Sequence, residues 1–122
     1  MACSTELLNR RILVVEDDFL VAQALCALLE NAGATSVGPI GWLDEALAFV
    51  ETQAAAVDGA VLDVDLHGEK SYAVADALAR HDIHFVFVTG YGSESLDPVY
   101  HDVSRCEKPF DPRTLFLLLA NR

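Results

Sequence analysis

Basic residues are scarce in this chain: eight Lys and Arg stand against nineteen Asp and Glu, a formal charge of −11. Such a balance repels a phosphate backbone, so no nucleic-acid partner held by charge neutralisation is expected. It suits a protein that binds a cation or a partner with basic patches. Cysteine is equally sparse. Cys3, Cys26 and Cys106 are odd in number, widely spaced and without a CxxC pair, which supports neither a disulfide framework nor a zinc site. No uncharged apolar run approaches the roughly 18–20 residues needed to cross a bilayer. The opening MACSTELLNRR lacks the basic-then-apolar order of a signal peptide. Linkers, low-complexity stretches and internal repeats are missing too. These absences predict one cytoplasmic domain over residues 1–122, with its core at about 11–121, no output domain and no membrane partner.

What is present is a core former, with 52% hydrophobic and 22% charged residues. Short apolar runs alternate with amphipathic ones. Arg11–Val15 (RILVV) predicts a buried strand, ended by the acids Glu16, Asp17 and Asp18. Residues 19–30 repeat Leu20, Ala24, Leu25, Leu28 and Leu29 at helical spacing, with Gly33 as a stop. Thr35–Ile40 predicts a weak strand softened by Gly38 and Pro39, and Asp44–Thr52 a second helix. Gly59–Leu66 predicts the third strand, Ser71–Arg80 a helix and His84–Thr89 the fourth strand. Residues 93–102 are ambiguous, because Ser93 could cap a helix that Pro98 would disrupt. A short strand over 103–108 and a helix capped by Asp111, with Pro112 first, complete the pattern.

Five strands alternating with helices predict a doubly wound (βα)5 α/β fold with a parallel sheet covered on both faces. Ligands of such sheets bind at the carboxyl ends of the strands, where the winding reverses. Glu16 and Asp17 follow the first strand, Asp63 and Asp65 lie in the third, Thr89 ends the fourth and Lys108 the fifth. Several converging carboxylates repel, and a hard divalent cation resolves the conflict. Mg²⁺ favours a few carboxylate oxygens plus water and phosphate oxygens. Asp63 inside an apolar run is hard to explain structurally. An aspartate can act as a nucleophile toward phosphorus. Magnesium, Lys108 and Thr89 would then neutralise and position the equatorial oxygens.

With these residues in place, the chain closely resembles the response-regulator receiver domains, including the single-domain chemotaxis regulators. The resemblance runs from about Arg11 to the C-terminus. It rests on VVEDD at 14–18, LDVDL at 62–66, VTGYG at 88–92 and EKPF at 107–110. The intervals 17 to 63, 63 to 89 and 89 to 108 are of the size this family uses. It implies a flavodoxin-like sheet of order 2-1-3-4-5 and a phosphoacceptor at Asp63. Glu16 and Asp17 become the acidic pair for Mg²⁺ (or Mn²⁺), with Asp17 the more direct ligand, and Asp65 offers its backbone carbonyl. Thr89 resembles the switch hydroxyl, and Lys108 the lysine that pairs with the phosphoryl group, aimed by a cis peptide before Pro109. The implied partners are a sensor histidine kinase or phosphotransfer protein and a downstream protein target. The chain would be a monomer or a phosphorylation-dependent dimer. The implied role is that of a signalling protein rather than a turnover enzyme.

Three departures bear on switching. His67, followed by Gly68, stands where many receivers have proline. Arg105 stands three before Lys108, where an aromatic switch residue is common. Tyr91, two after Thr89, would take over part of that work by analogy with a subgroup bearing a phenylalanine-x-threonine-glycine-tyrosine signature. LHGEKSYAVADAL at 66–78 resembles that subgroup as well, whose members often partner an atypical class of sensor kinases in alphaproteobacteria. Asp65 would tune the access of water. His67, His81, His84 and His101 share no ligand spacing and read as incidental, while Trp42 and Phe49 read as helix packing. Two other functions stand beside this one. A haloacid-dehalogenase-like phosphatase would use the Asp63/Asp65 DxD pair, and a pseudo-receiver would keep the fold as a binding module without phosphorylation.

Overall fold

A computed structural model describes residues 7–89, 98–100, 104–107 and 111–120. Strand β1 (Arg11–Val15) lies centrally, between β2 (Thr35–Ile40) and β3 (Gly59–Asp63). Beyond β3 come β6 (His84–Thr89) and β7 (Arg105–Glu107), so the order is β2-β1-β3-β6-β7 with every pairing parallel. Two further strands, β4 (Asp65–Leu66) and β5 (Glu69–Lys70), form a small antiparallel hairpin outside this sheet. With the hairpin set aside, the order is the expected flavodoxin-like one. The winding reverses between β1 and β3.

Alternation along the strands sorts the core into two layers, because successive side chains leave opposite faces of a sheet. Leu13, Val15, Ala60, Leu62 and Phe87 pack on one face with Ala46 and Val50 of α2 (Leu43–Gln53) and Val74, Ala77 and Leu78 of α3 (Tyr72–Arg80). Ile12, Val14, Val61, Val86 and Val88 pack on the other with Leu25 and Leu29 of α1 (Phe19–Asn31). Leu115 and Leu119 of α4 (Pro112–Ala120) join that second layer. Strands buried on both sides read as unbroken apolar runs, as ILVV at 12–15 and FVFV at 85–88 do. Among the described residues no helix is long and apolar enough to cross a membrane.

Gly33 ends α1 at φ +96°, and a Cβ there would meet the Leu8 Cα at 2.9 Å, so glycine alone lets residues 7–10 close under the helix. Leu7 is fully buried in that turn. Several expected boundaries move, two of them beside the carboxyl ends of the strands. The third strand stops at Asp63 rather than Leu66, because the chain turns out of the sheet into the hairpin. The second helix begins at Leu43, one residue before Asp44, with Trp42 at its cap position and no side-chain bond there.

At the start of the central strand β1, Arg11 donates its Nε and Nη2 to Asp58 at 3.0 Å each, and its amide donates to Asp58 Oδ2 at 2.9 Å. This guanidinium holds the Asp58 carboxyl down to about 2. A carboxylate with a depressed folded-state pKa contributes stability above its unfolded value, and that contribution fades as pH falls. Asp58→Asn should therefore lower the melting temperature at neutral pH. The gap to wild type should close as pH drops from about 4 to about 2, followed by circular dichroism melts. A gap unchanged across that window would mean the ion pair contributes nothing.

Candidate functional site

The carboxyl ends of β1 and β3 meet at the switch point, and each delivers acids. Glu16 continues the ladder beyond β1, its amide donating to the Ile40 carbonyl at 3.0 Å. This turns its side chain inward, where it is only 4% exposed, and Oε2 accepts the Asp18 amide at 3.0 Å. Asp18 takes no part in the acid cluster: its Oδ1 caps α1, accepting the amides of Leu20 at 3.0 Å and Val21 at 3.1 Å. Asp17 lies between these two, and its Oδ2 accepts the His67 amide at 2.8 Å. Burial pushes the Asp17 carboxyl up. The His67 amide, the Glu16 side chain and Asp17's own amide outweigh that and hold it below the ordinary carboxylate value.

Asp63 ends β3 and is 6% exposed. Its Oδ1 accepts the Asp65 amide at 3.3 Å, and its carbonyl accepts the Ser71 hydroxyl at 2.6 Å. Glu16, Asp17 and Asp63 each place a carboxylate oxygen within 4.8 Å of the other two. At that spacing each ionised pair repels by roughly 3 kcal/mol for an effective dielectric constant near 20. Two of the three carboxylates are buried, so solvent relieves this poorly. The donor set is all oxygen, anionic and preassembled, and it fits a hard divalent cation that keeps water on its remaining positions.

Thr89 ends β6, the strand next to β3, one position beyond the Asp63↔Val88 pair. It is 1% exposed, and its hydroxyl finds no hydrogen-bond partner among the described residues. A buried hydroxyl without any partner costs about 1–3 kcal/mol. Register pairs Thr89 with Glu107 at the end of β7. Arg105 pairs with Phe87 and is half-buried, with its Nη1 also lacking a partner among the described residues. Lys108, Pro109 and Tyr91 lie outside the described residues, and so does the cis peptide expected before Pro109. The cis bond found among the described residues is Gly38–Pro39.

Asp65 does not join the acids. Its carboxylate faces outward to Lys70 Nζ at 2.8 Å, and the hydrogen bond to Asp65 raises the Lys70 pKa. The DxD pair is thus split, one acid buried in the cluster and the other on the hairpin. Sequence reasoning missed three groups here. Ser71 reads as the start of a helix, yet its hydroxyl fixes the Asp63 backbone instead of capping α3. His67, expected to be incidental, supplies the amide on Asp17. Trp42, expected to pack on a helix, is 52% exposed and stacks on the His67 ring with centroids 3.7 Å apart.

A model of the response regulator receiver domain matches residues 12–119. The solution structure of SdrG from Sphingomonas melonis Fr1 is 43% identical, with a TM-score of 0.80 over 93% of this chain and 94% of that one. The BeF3-activated conformation of SdrG from Pseudomonas melonis Fr1 is 40% identical, with a TM-score of 0.76 over 96% of this chain and 95% of that one. The crystal structure of the response regulator PhyR from Brucella abortus is 26% identical, with a TM-score of 0.77 over 93% of this chain and 47% of that one. No curated protein matches the chain.

Proposed function

The chain belongs to the response regulator receiver family, and from that premise we propose that it accepts a phosphoryl group on Asp63, with Mg²⁺ held by Glu16, Asp17 and Asp63. The observation that carries this reading is the convergence of three carboxylates within 4.8 Å at the switch point, two of them buried. A cost of that size persists where function needs it, and a bound cation removes it. Mg²⁺, when present, neutralises the incoming phosphoryl oxygens and the carboxylates together.

The chain's own groups divide the remaining work. Asp63 is an acceptor that needs no base, since its carboxylate attacks as it stands. One of its oxygens bonds to phosphorus as the P–N bond of a donor phosphohistidine breaks. The imidazole leaves with the electron pair and takes a proton from solvent. Ser71 and the Asp65 amide fix the backbone and one carboxylate oxygen, which orients the carboxylate that reacts. Thr89 would donate its hydroxyl to a phosphoryl oxygen, and Lys108 would pair with the same group. Asp65, restrained by Lys70, would set the access of water to the acyl phosphate. SdrG has a BeF3-activated conformation, which supports the same chemistry in a relative of nearly equal length. The donor is a sensor histidine kinase or phosphotransfer protein of the kind that serves the phenylalanine-x-threonine-glycine-tyrosine receivers. Output runs through a protein target.

Acetyl phosphate with Mg²⁺ tests this directly. Intact-mass spectrometry should find a single phosphoryl group per chain, absent when EDTA replaces Mg²⁺. Steady release of phosphate from varied monoesters would instead mark a hydrolase, and no label under any donor would mark a binding module.

A further inference from the structure

The hairpin beside the site should not hold its shape unaided. Each of its strands is two residues long, and an isolated two-stranded hairpin is marginal at best in water. Its turn is His67–Gly68, with φ of +50° and +86°. That is the mirror-image turn that joins twisted strands, but it asks a non-glycine residue to sit in the left-handed region. Leu66 anchors one strand in the core, and the Ser71 amide ties the base to the Val64 carbonyl at 2.8 Å. The Asp65–Lys70 ion pair spans exposed side chains and adds little. None of these supports the tip. Among the described residues two contacts do, and both belong to His67: its amide donates to Asp17 at 2.8 Å, and its ring lies on Trp42 with planes 14° apart.

Trp42 is itself well placed to carry load. It opens α2 directly after Gly41, and a Cβ on Gly41 would sit 3.4 Å from the Asp17 Cα, so the indole rises from backbone packed against the same acid. It is the chain's single tryptophan and is half exposed, with no place in either core layer. Its large apolar ring at that position needs a reason. The ring stacks on the side chain at the hairpin tip, while Asp17 accepts the amide of the same residue.

We infer that Trp42 and His67 form an aromatic latch that positions the Asp17 carboxylate for the divalent cation. Trp42 is a positioning residue: it touches no ligand and acts through the His67 amide. That amide donates to Asp17 Oδ2 and so helps fix the carboxylate rotamer before the ion arrives. Fixing a ligand in advance removes ordering cost from binding and so raises affinity. The latch stands on the proposed metal site, and linkage makes it reciprocal. If a closed latch favours the cation, the cation must favour the closed latch by the same factor.

Mn²⁺ is the probe, because loss of its free-ion electron paramagnetic resonance signal reports binding without phosphorylation. Trp42→Ala and His67→Ala should each weaken Mn²⁺ affinity about three- to tenfold, the range an aromatic pair supports. Trp42→Phe, which keeps a stacking ring, should stay within about twofold of wild type. The double variant W42A/H67A should bind no more weakly than either single, since both remove one contact. Emission of Trp42 should change on saturation with Mg²⁺ in the wild type and stay flat in H67A. Trp42 lies outside the core, so melting temperatures of these variants should hold, and a merely structural role would not produce the Phe rescue. Alanine variants that bind Mn²⁺ like wild type, while wild type binds it, overturn the latch alone. A wild-type protein that leaves the Mn²⁺ signal intact overturns both the latch and the metal site.

Discussion

Asp63→Asn should melt at a higher temperature than wild type in EDTA, while its phosphoryl labelling falls below detection. The two effects share one cause. Asp63 is 6% exposed and has two carboxylates within 4.8 Å. Each ionised pair repels by roughly 3 kcal/mol at an effective dielectric constant near 20. Asparagine keeps the shape and an oxygen to accept the Asp65 amide, but it removes one charge and so the repulsion of Asp63 with Glu16 and with Asp17. Part of that repulsion is already relieved by relaxation and by water at half-exposed Asp17, so a gain of about 1–3 kcal/mol is expected. For a chain of this length that is about 4–12 °C. Mg²⁺ should narrow the gap, since the cation stabilises the three-acid wild type more than the variant. Labelling with acetyl phosphate should vanish, because a neutral amide offers no nucleophilic oxygen at that position. Scanning calorimetry with EDTA and with Mg²⁺ separates the terms. A D63N variant no more stable than wild type in EDTA would mean the acids are not strained together, and retained label would move the acceptor elsewhere.

The same strain made the site legible before any coordinates. A carboxylate in the middle of an apolar strand breaks the local pattern, and local rule-breaking concentrates at functional sites. The strands themselves were legible because a parallel sheet buries both faces, which leaves β1 and β6 as unbroken apolar runs. What failed was reading past Asp63. Val64 and Leu66 continue the alternation of β3, and both are buried, so nothing in hydrophobicity marks where the chain leaves the sheet. The mark lay in His67–Gly68, a two-residue turn between short polar flanks, which spacing arguments about metal ligands passed over. Ser71 was similarly hidden. A serine before a helical pattern predicts a cap, and only the fold reveals that the Asp63 carbonyl competes for its hydroxyl. Residues 93–102 were ambiguous, and Tyr100 within them stacks on Tyr72 with centroids 4.5 Å apart and donates its hydroxyl to Asp76 at 2.9 Å. Phe87 meets both tyrosines edge-on. An aromatic cluster thus stands beside β6 even though Arg105 occupies the place where the family often puts its aromatic switch residue. Contacts of this kind join residues far apart in sequence, and no local period records them.

Thr89→Val should raise stability while it damages function, opposite signs that an ordinary core substitution does not give. Valine matches threonine in shape and stays β-branched, which suits the end of β6. The hydroxyl it removes is buried and has no partner among the described residues. An unsatisfied buried donor costs about 1–3 kcal/mol, and replacing it with a methyl group recovers most of that. A rise of about 3–6 °C in melting temperature is expected, measured without Mg²⁺ or phosphodonor. The penalty appears once a phosphoryl group arrives on Asp63 one strand away. A hydrogen bond to a charged oxygen contributes about 1.5–3 kcal/mol, so the variant should hold BeF3⁻ about tenfold or more weakly than wild type. Thr89→Ser, which keeps the donor, should restore that affinity and lose the gain in melting temperature. A Val variant less stable than wild type would show that the hydroxyl already has an acceptor in the resting protein. Unchanged BeF3⁻ affinity would remove Thr89 from the phosphoryl site. The opposite signs follow from a single arrangement: the resting protein holds, at the end of its sheet, a hydroxyl with no partner among the described residues beside crowded carboxylates. The phosphoryl group offers that hydroxyl an acceptor, and the cation offsets the charge of the acids.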